Sequence, residues 1–513
     1  MSEINNDSNI LVNLSHFLLK KIIDYVEDNI DIICFSLVCK RWFNERDKYL
    51  SFNTNQFYVT AINNTDIQQN HLHFNLPSYD SIYYKSIQSK RDCELNIDNV
   101  YYFTSTLSDF LFEYKEIREI KTIPNYITKI TLGSNEFRSL DDYEYFYRVL
   151  SECDSVIVLN GCSTLKFGLP KSIETIAFNS HFNEELEKGS LPESLTDIDF
   201  GFGFNQPIGL GVLPDRLKKL SFDGHYKNMI LQPGVLPSSL RVLDLSAYNE
   251  PLLSGSLPSN LKKLIYSGYR IALEENTLPQ SLRVLVNVPE IWVQRVPLPN
   301  LEELTISNDF GELFPPATQY HLEKFSYALN TPIPSNIRID RLEIDGSLLQ
   351  PISSLPAELE SFSLQVSTFG SSCRVNCPLP PSLKELNVSF DLMMLSPHEK
   401  PKSIETLHLG AQNLNRYLSR VPTSVKTLTF SNLTKIDSIP KNIKNVTNFI
   451  YQSQRFSYDR FTIRKLDDNY YLIIGTYQNN LIAKIVNQSK LVQYFNPLED
   501  KLSLHRFISD AEF

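Results

Sequence analysis

The side chains that most often do chemistry are sparse in this 513-residue chain, and their spacing does not assemble them. Cys373 and Cys377 form one Cys-x-x-x-Cys with no second pair, so a zinc site lacks half its ligands. His71 and His73 fall in a polar stretch expected to be a loop. His408 lies on the polar side of an alternating segment, where solvent exposure is expected. Asp197 and Asp199 are the nearest approach to a carboxylate cluster, and they stand alone. The chain has no Walker loop, no Gly-x-Ser-x-Gly elbow and no His-Glu-x-x-His. No nucleophile is set beside a base. The expectation is a non-catalytic protein with no metal and no cofactor.

Ordered charge remains. Lys218, Arg241, Lys262 and Arg283 recur at similar intervals, and Glu302, Glu323, Asp340 and Glu360 continue the series with opposite sign. Lys384, Glu405 and Lys426 then alternate. Each sits at one fixed place in an internal repeat, which is the strongest signal in the chain. LPESLTDIDF from Leu191, LPDRLKKLSF from Leu213, LPSSLRVLDL from Leu236 and LPSNLKKLIY from Leu257 share Leu-Pro-x-x-Leu-x-x-Leu-x-apolar, with starts 22, 23 and 21 residues apart. Weaker copies begin at Ile123, Leu169, Leu278, Leu355, Leu379, Lys400 and Val421. Half-copies stand at Leu301, Leu322, Ile339 and Ile443.

The Leu-x-x-Leu-x-apolar half alternates as a short strand does, with apolar side chains on one side. Proline, with fixed φ and no N–H, suits the corner before that strand. Half of the 28 prolines stand second in such a start, which accounts for their excess over 17 glycines. One strand cannot bury its apolar row, but stacked neighbours can, so residues 121–450 are expected to form a repeat solenoid. Strands about 4.8 Å apart would stand the eight charges in one column, four cations and then four anions. Like charges in register are mildly destabilising, so the segregation suggests either a target-binding face for a partner of complementary bipolar charge or a solvated face whose charges cluster by accident.

The flanks differ. Residues 1–10 read as a flexible terminus, and 51–120 as a connector, rich in Asn, Tyr and Ser, that can hold degenerate repeats. In 451–513, Ile463, Leu466, Tyr471, Ile473, Leu481, Ala483 and Ile485 alternate around turn-like Asp467-Asp468-Asn469 and Gln478-Asn479-Asn480, as a β-rich cap would. In residues 11–50, Leu14, Leu18, Leu19, Ile22, Ile23 and Val26 recur at helical spacing, and Ser15 can cap that helix. A second apolar cluster, Ile32 to Val38, leads into Cys39-Lys40-Arg41-Trp42-Phe43. Forty residues make a small core, so the module's apolar surface should meet the rest of the chain or another protein.

The segment LSHFLLKKIIDYVEDNIDIICFSLVCKRWFNE resembles an F-box, with Leu14, Leu18, Leu19, Ile22, Tyr25, Leu37, Val38, Cys39 and Trp42 on matching positions. It departs from the family at Ser15, where a proline is usual, and at Phe17, where an acidic residue is usual. The repeats, with Phe182-Asn183, Phe204-Asn205-Gln206-Pro207-Ile208 and Tyr248-Asn249-Glu250-Pro251-Leu252, resemble FNIP repeats of leucine-rich-repeat-like type; Asn135 sits earlier in its unit. These resemblances imply a β-rich superhelix carrying an F-box module. Leu14, Leu18, Leu19, Ile22, Leu37, Val38 and Trp42 would then dock a Skp-type adaptor of a cullin ubiquitin ligase, while the solenoid holds a target protein. An interaction scaffold unrelated to ubiquitin, with the helices as an ordinary hairpin over the first repeat, is the alternative. A β-helix enzyme would be expected to show carboxylate clusters.

Composition narrows the partners. A net charge of −10 with 42% hydrophobic residues argues against disorder and against a nucleic-acid binder, which needs a concentrated basic face. The amino terminus lacks a basic leader, and no apolar run reaches the length of a membrane span, so no membrane partner is expected. Seven irregularly spaced cysteines suit reduced thiols in the cytoplasm or nucleus.

Overall fold

Each Leu-Pro start folds as a tight turn. At Pro170, Pro192, Pro214, Pro237, Pro258, Pro279, Pro356, Pro380 and Pro422 the carbonyl accepts from the N–H three residues on, at 3.1–3.4 Å. That donor belongs to the first apolar residue of the repeat's second half, so the corner delivers the chain into the ladder with Leu, Ile or Val already turned inward. The residue before it is often serine, whose hydroxyl ties one turn of the solenoid to the last. Ser194 donates to the Ile173 carbonyl (2.6 Å), Ser239 to Leu217 (2.7 Å), Ser281 to Leu261 (2.6 Å) and Ser382 to Leu359 (2.8 Å). Nothing in the periodicity singled these serines out, although the recurring Pro-x-Ser-Leu carries the signal. Ser239→Ala is expected to cost about 1 kcal/mol, the usual net worth of one hydrogen bond, read as a lowered denaturant midpoint at unchanged slope.

The structure, a computed structural model, describes residues 13–26 and 29–52, short segments between 77 and 97, and residues 121–489 with breaks between strands. The amino-terminal ten residues, His71, His73, Cys373, Asn135, Asn249 and the turn residues Gln478 and Asn479 lie outside the described residues.

Strands β1 (Cys93–Ile97), β2 (Ile127–Leu132) and β3 (Val158–Cys162) open a ladder that continues, each strand parallel to the next, to β17 (Asn445–Gln452). The register matches equivalent repeat positions: Leu220 faces Leu243, Leu243 faces Leu264, and Leu264 faces Leu285. All four are buried in one continuous core that runs the length of the array. The fold is therefore a β-solenoid. The Phe-Asn elements thicken it. Phe178, Phe200 and Phe222 stack on successive turns at 5.5 and 5.3 Å, and Phe182 and Phe204 lie against them at 3.9 and 4.3 Å. Asn183 holds the corner outside this stack: its Oδ1 accepts from the Asn205 N–H at 2.9 Å and from the Gln206 amide at 3.2 Å.

The repeat pattern gives no expectation of helices within the array, yet among the described residues two occur. Leu140–Ser151 forms a helix between β2 and β3 and buries Phe146, Tyr147 and Leu150; Glu290–Arg295 forms a short one that buries Trp292 and Val293. Tyr143, Phe146, Tyr147 and Leu150 have the three- and four-residue spacing of an apolar helix face.

At the carboxyl end the direction changes. β18 (Tyr458–Lys465), β19 (Tyr470–Tyr477) and β20 (Asn480–Asn487) pair antiparallel, continuing from β17. Their two faces have different partners. Ile463, Tyr471, Ile473 and Val486 join the solenoid core, whereas Leu466, Leu472 and Ile485 pack with the amino-terminal helices. Of the alternating residues, Ile463, Tyr471 and Ile473 therefore face the solenoid core, and Leu466 and Ile485 face the helices. Among the described residues no helix is long and apolar enough to cross a membrane.

Candidate functional site

Two surfaces stand out, one on the amino-terminal helices and one on the ladder. The helices are α1 (His16–Ile23), α2 (Asn29–Ser36) and α3 (Lys40–Asn44). Ser15 caps α1, accepting from the Leu18 N–H at 3.4 Å, and the Cys39 sulfur caps α3 at the Trp42 N–H. Arg41 ties α3 to α1 through Glu45 (3.1 Å) and the Leu14 carbonyl (3.2 Å), while His16 Nε2 donates to Glu45 at 2.9 Å. The His16 hydrogen bond, with Lys48 nearby, holds the Glu45 carboxyl below its ordinary value. Trp42 stacks on Phe35 with ring centres 4.5 Å apart, and the Tyr49 hydroxyl donates to the Trp42 carbonyl at 3.0 Å. Burial pushes the Tyr49 phenol well above its usual value.

Among the described residues the module packs on the carboxyl-terminal strands and not on the first repeat. Its described core contains Leu19, Ile23, Ile32, Ile33, Trp42, Tyr49, Leu50 and Phe52, joined by Tyr79, Ile82 and Leu472, with Leu466 and Ile485 alongside. Asp31 forms an ion pair with Arg464 across the same seam. The helices therefore sit on the outer face of the carboxyl-terminal strands, with the solenoid core on the other face.

This placement divides the seven residues expected to dock an adaptor. Leu19 and Trp42 are buried in the module and build it; Leu14 and Leu37 are half-buried against its core. Leu18, Ile22 and Val38 are 45%, 41% and 62% exposed, respectively, and Tyr25, at 89%, extends the α1 stripe at four- and three-residue spacing. Phe17 is exposed as well, with the Lys21 ammonium 4.8 Å from its ring centre. An apolar stripe left bare while the opposite face of the same helix is packed is a mark of an interaction site.

The second surface is the charge column, at the residue after the first inward Leu, Ile or Val. Backbone bonds set its members on adjacent turns: the Arg241 N–H donates to the Lys218 carbonyl, Lys262 to Arg241, Arg283 to Lys262 and Glu302 to Arg283, at 2.8–2.9 Å. The register sets Glu323 opposite Glu302 and Asp340, and the Glu360 N–H donates to the Asp340 carbonyl at 2.8 Å. Lys218, Lys262, Arg283, Glu323 and Glu360 are exposed, and Arg241, Glu302 and Asp340 half-buried.

The sequence did not reveal how these charges pair. Arg283 meets Glu302 where the sign changes; His321 (2.8 Å) and Arg338 (3.4 Å) meet Asp340; Lys384 meets Glu360 (2.9 Å). Lys426 and Glu405 pair at 3.0 Å. His408 is half-buried and donates to Glu385 at 2.9 Å rather than standing open to solvent. Asp197 pairs with Lys219 at 3.4 Å, and Asp199 accepts from the Gly201 N–H at 2.9 Å. Cys377 is buried, with its thiol pushed up by desolvation. Among the described residues no cluster of three His, Cys, Asp or Glu is placed to hold a metal ion.

No curated protein matches the chain. Three consecutive segments of the solenoid, residues 163–203, 204–247 and 248–286, match the family described as FNIP Repeat, so the array carries three FNIP repeats across its phenylalanine stack and the start of its charge column.

Proposed function

We propose that the protein is a non-catalytic target receptor of a Skp–cullin–F-box type ubiquitin ligase, working in the cytoplasm or nucleus. In this reading the helical module is an F-box, the array is leucine-rich-repeat-like, and the ladder's charged face holds the target. Its contribution to ubiquitin transfer would be proximity, with the chemistry done by other subunits. The observation that carries the reading is the bare apolar stripe Leu18, Ile22 and Tyr25, with Val38, on a module whose other face is already packed. Solenoids present extended faces suited to holding another protein, which supports the second half. The scaffold alternative draws on the seam with Leu472 and Asp31–Arg464, because a pure capping element would make the same contacts.

The test is affinity capture with the tagged full chain, probing for a Skp-type adaptor and a cullin. Deleting residues 1–50 would bare Leu472, so the informative control is the surface variant Leu18→Glu/Ile22→Glu. Adaptor with the wild type alone supports the receptor. No adaptor in either sample leaves the scaffold.

A further inference from the structure

The two halves of the charge column are not equivalent. At the two outward positions where each strand begins, four successive turns carry Lys218 and Lys219, Arg241 and Val242, Lys262 and Lys263, then Arg283 and Val284. No carboxylate occupies any of these places. Lys219, at one end, is paired with Asp197, and Arg283, at the other, with Glu302. Between them, among the described residues, Lys218, Arg241, Lys262 and Lys263 have no ion-pair partner. The one carboxylate at the next outward position of these turns, Asp244, is bonded to the N–H and hydroxyl of Ser246. Asp215 and Arg216, adjacent in the corner before Lys218, add no net charge to it.

The acidic half differs. Glu302, Asp340 and Glu360 each hold a cation of the chain itself. Among the described residues, a chain with a net charge of −10 therefore keeps a strip of cations without ion-pair partners on its most regular surface.

We propose that Lys218, Arg241, Lys262 and Lys263 are the docking strip for an acidic peptide segment, rich in Asp and Glu, of the partner protein. This names the partner chemistry of the ladder face and rests on that face being the target surface. The spacing suits an extended segment. Lys218 and Lys262 are two turns apart, about 10 Å, and an extended chain rises about 3.3 Å per residue, so about three residues span the strip. Arg241 is partly anchored: one terminal nitrogen donates to the Ser238 and Leu240 carbonyls at 3.1 and 3.2 Å, leaving other donors of its guanidinium to a carboxylate. Val242 lies between the charges as a half-buried aliphatic floor.

The test is fluorescence anisotropy of a labelled oligoglutamate peptide against the full chain over a salt series. An oligolysine peptide, a phosphoserine–glycine peptide and a single-stranded oligonucleotide serve as comparisons. The variants are Lys218→Gln/Arg241→Gln/Lys262→Gln/Lys263→Gln and, as control, Glu302→Gln/Glu323→Gln/Asp340→Asn/Glu360→Gln. Wild type should bind oligoglutamate with an affinity that falls as salt rises, the basic-strip variant should bind about tenfold or more weakly, and the acidic-half variant no worse than wild type. Equal binding by wild type and the basic-strip variant overturns the proposal. So does binding of the phosphoserine peptide alone, or of the oligonucleotide as tightly through the same residues. Melting curves of both variants exclude unfolding as the cause. Adaptor capture on the same samples separates the two readings. Intact peptide binding without adaptor capture contradicts the ligase while keeping the strip; lost peptide binding with intact capture removes nothing from the ligase reading.

Discussion

Gly161→Ala is expected to unpair the amino-terminal end of the ladder, at a cost of about 3 kcal/mol or more, while Gly189→Ala costs about 1 kcal/mol. Both glycines have left-handed backbone, with φ of +76° and +88°, respectively, so any L side chain is strained at either place. They differ in what a methyl group meets. At Gly189 nothing lies within 4 Å, whereas at Gly161 a Cβ would stand 2.0 Å from the Leu132 carbonyl oxygen. That oxygen belongs to the backbone of β2, so no rotamer change relieves the clash. Gly161 also lies within the irregularity between Asn160 and Cys162, where β3 slips its register on the next strand. The strand must move away from its neighbour, and the pair Thr131–Asn160, beside the clash, is the first to be lost, followed by Ile130–Leu159. Because each turn of a solenoid touches mainly its neighbours, the damage should stay local. Hydrogen exchange should show lost protection in residues 127–132 and 158–162, with residues near Leu243 and Leu264 unchanged. Equal destabilisation by both substitutions would mean that the close approach to Leu132 does not matter.

Leu472→Asp is expected to release the amino-terminal helices and leave the solenoid standing. Leu472 is fully buried, yet its neighbours Tyr471 and Ile473 face the other way, into the long core. A substitution at this one position therefore acts on the helical seam alone. An unpaired carboxylate in an apolar contact costs several kcal/mol, and detaching the helices lets water reach it. A module of about 40 residues without that support has a marginal core, so it should unfold once freed. The measurement is hydrogen exchange over residues 14–52, which should lose protection, against residues around Trp292, which should not. Retained protection in 14–52 would show that the helices fold without the carboxyl-terminal strands.

The ladder was legible because its signal repeats. Leu-Pro marks the corner, the spacing of Leu217, Leu220 and Phe222 marks the inward row, and the same intervals in successive copies set the register. The helix Leu140–Ser151 carries its own periodic signal in Tyr143, Phe146, Tyr147 and Leu150. It is obscured because a single amphipathic stretch inside a repeat array looks like a degenerate copy. What was not legible is what covers each face. Leu18 and Leu19, like Ile22 and Ile23, are adjacent apolar pairs, and only packing decides that the second of each pair turns inward. The same holds for Leu472 between Tyr471 and Ile473: period two shows that both faces are apolar and not that the partner lies hundreds of residues away in the chain. The column of charge could be read from spacing, but its neutralisation could not. His321 and Arg338 reach Asp340 from other positions, Lys384 reaches Glu360 from the next turn of the column, and among the described residues the turn carrying Lys262 and Lys263 has no such neighbour.

In the proposed function the bare stripe on α1 is a docking surface, built on a module held by the carboxyl-terminal strands. Calorimetric titration of a purified Skp-type adaptor into the full chain tests it most directly, with wild type beside Leu18→Glu/Ile22→Glu. The two leucine and isoleucine side chains are already 45% and 41% exposed, so the variant should keep its melting temperature. Wild type should bind saturably and one to one, and the variant about a hundredfold or more weakly, the scale expected when central apolar contacts of an interface are replaced by charge. Absence of binding by wild type, or equal binding by both proteins, would contradict it.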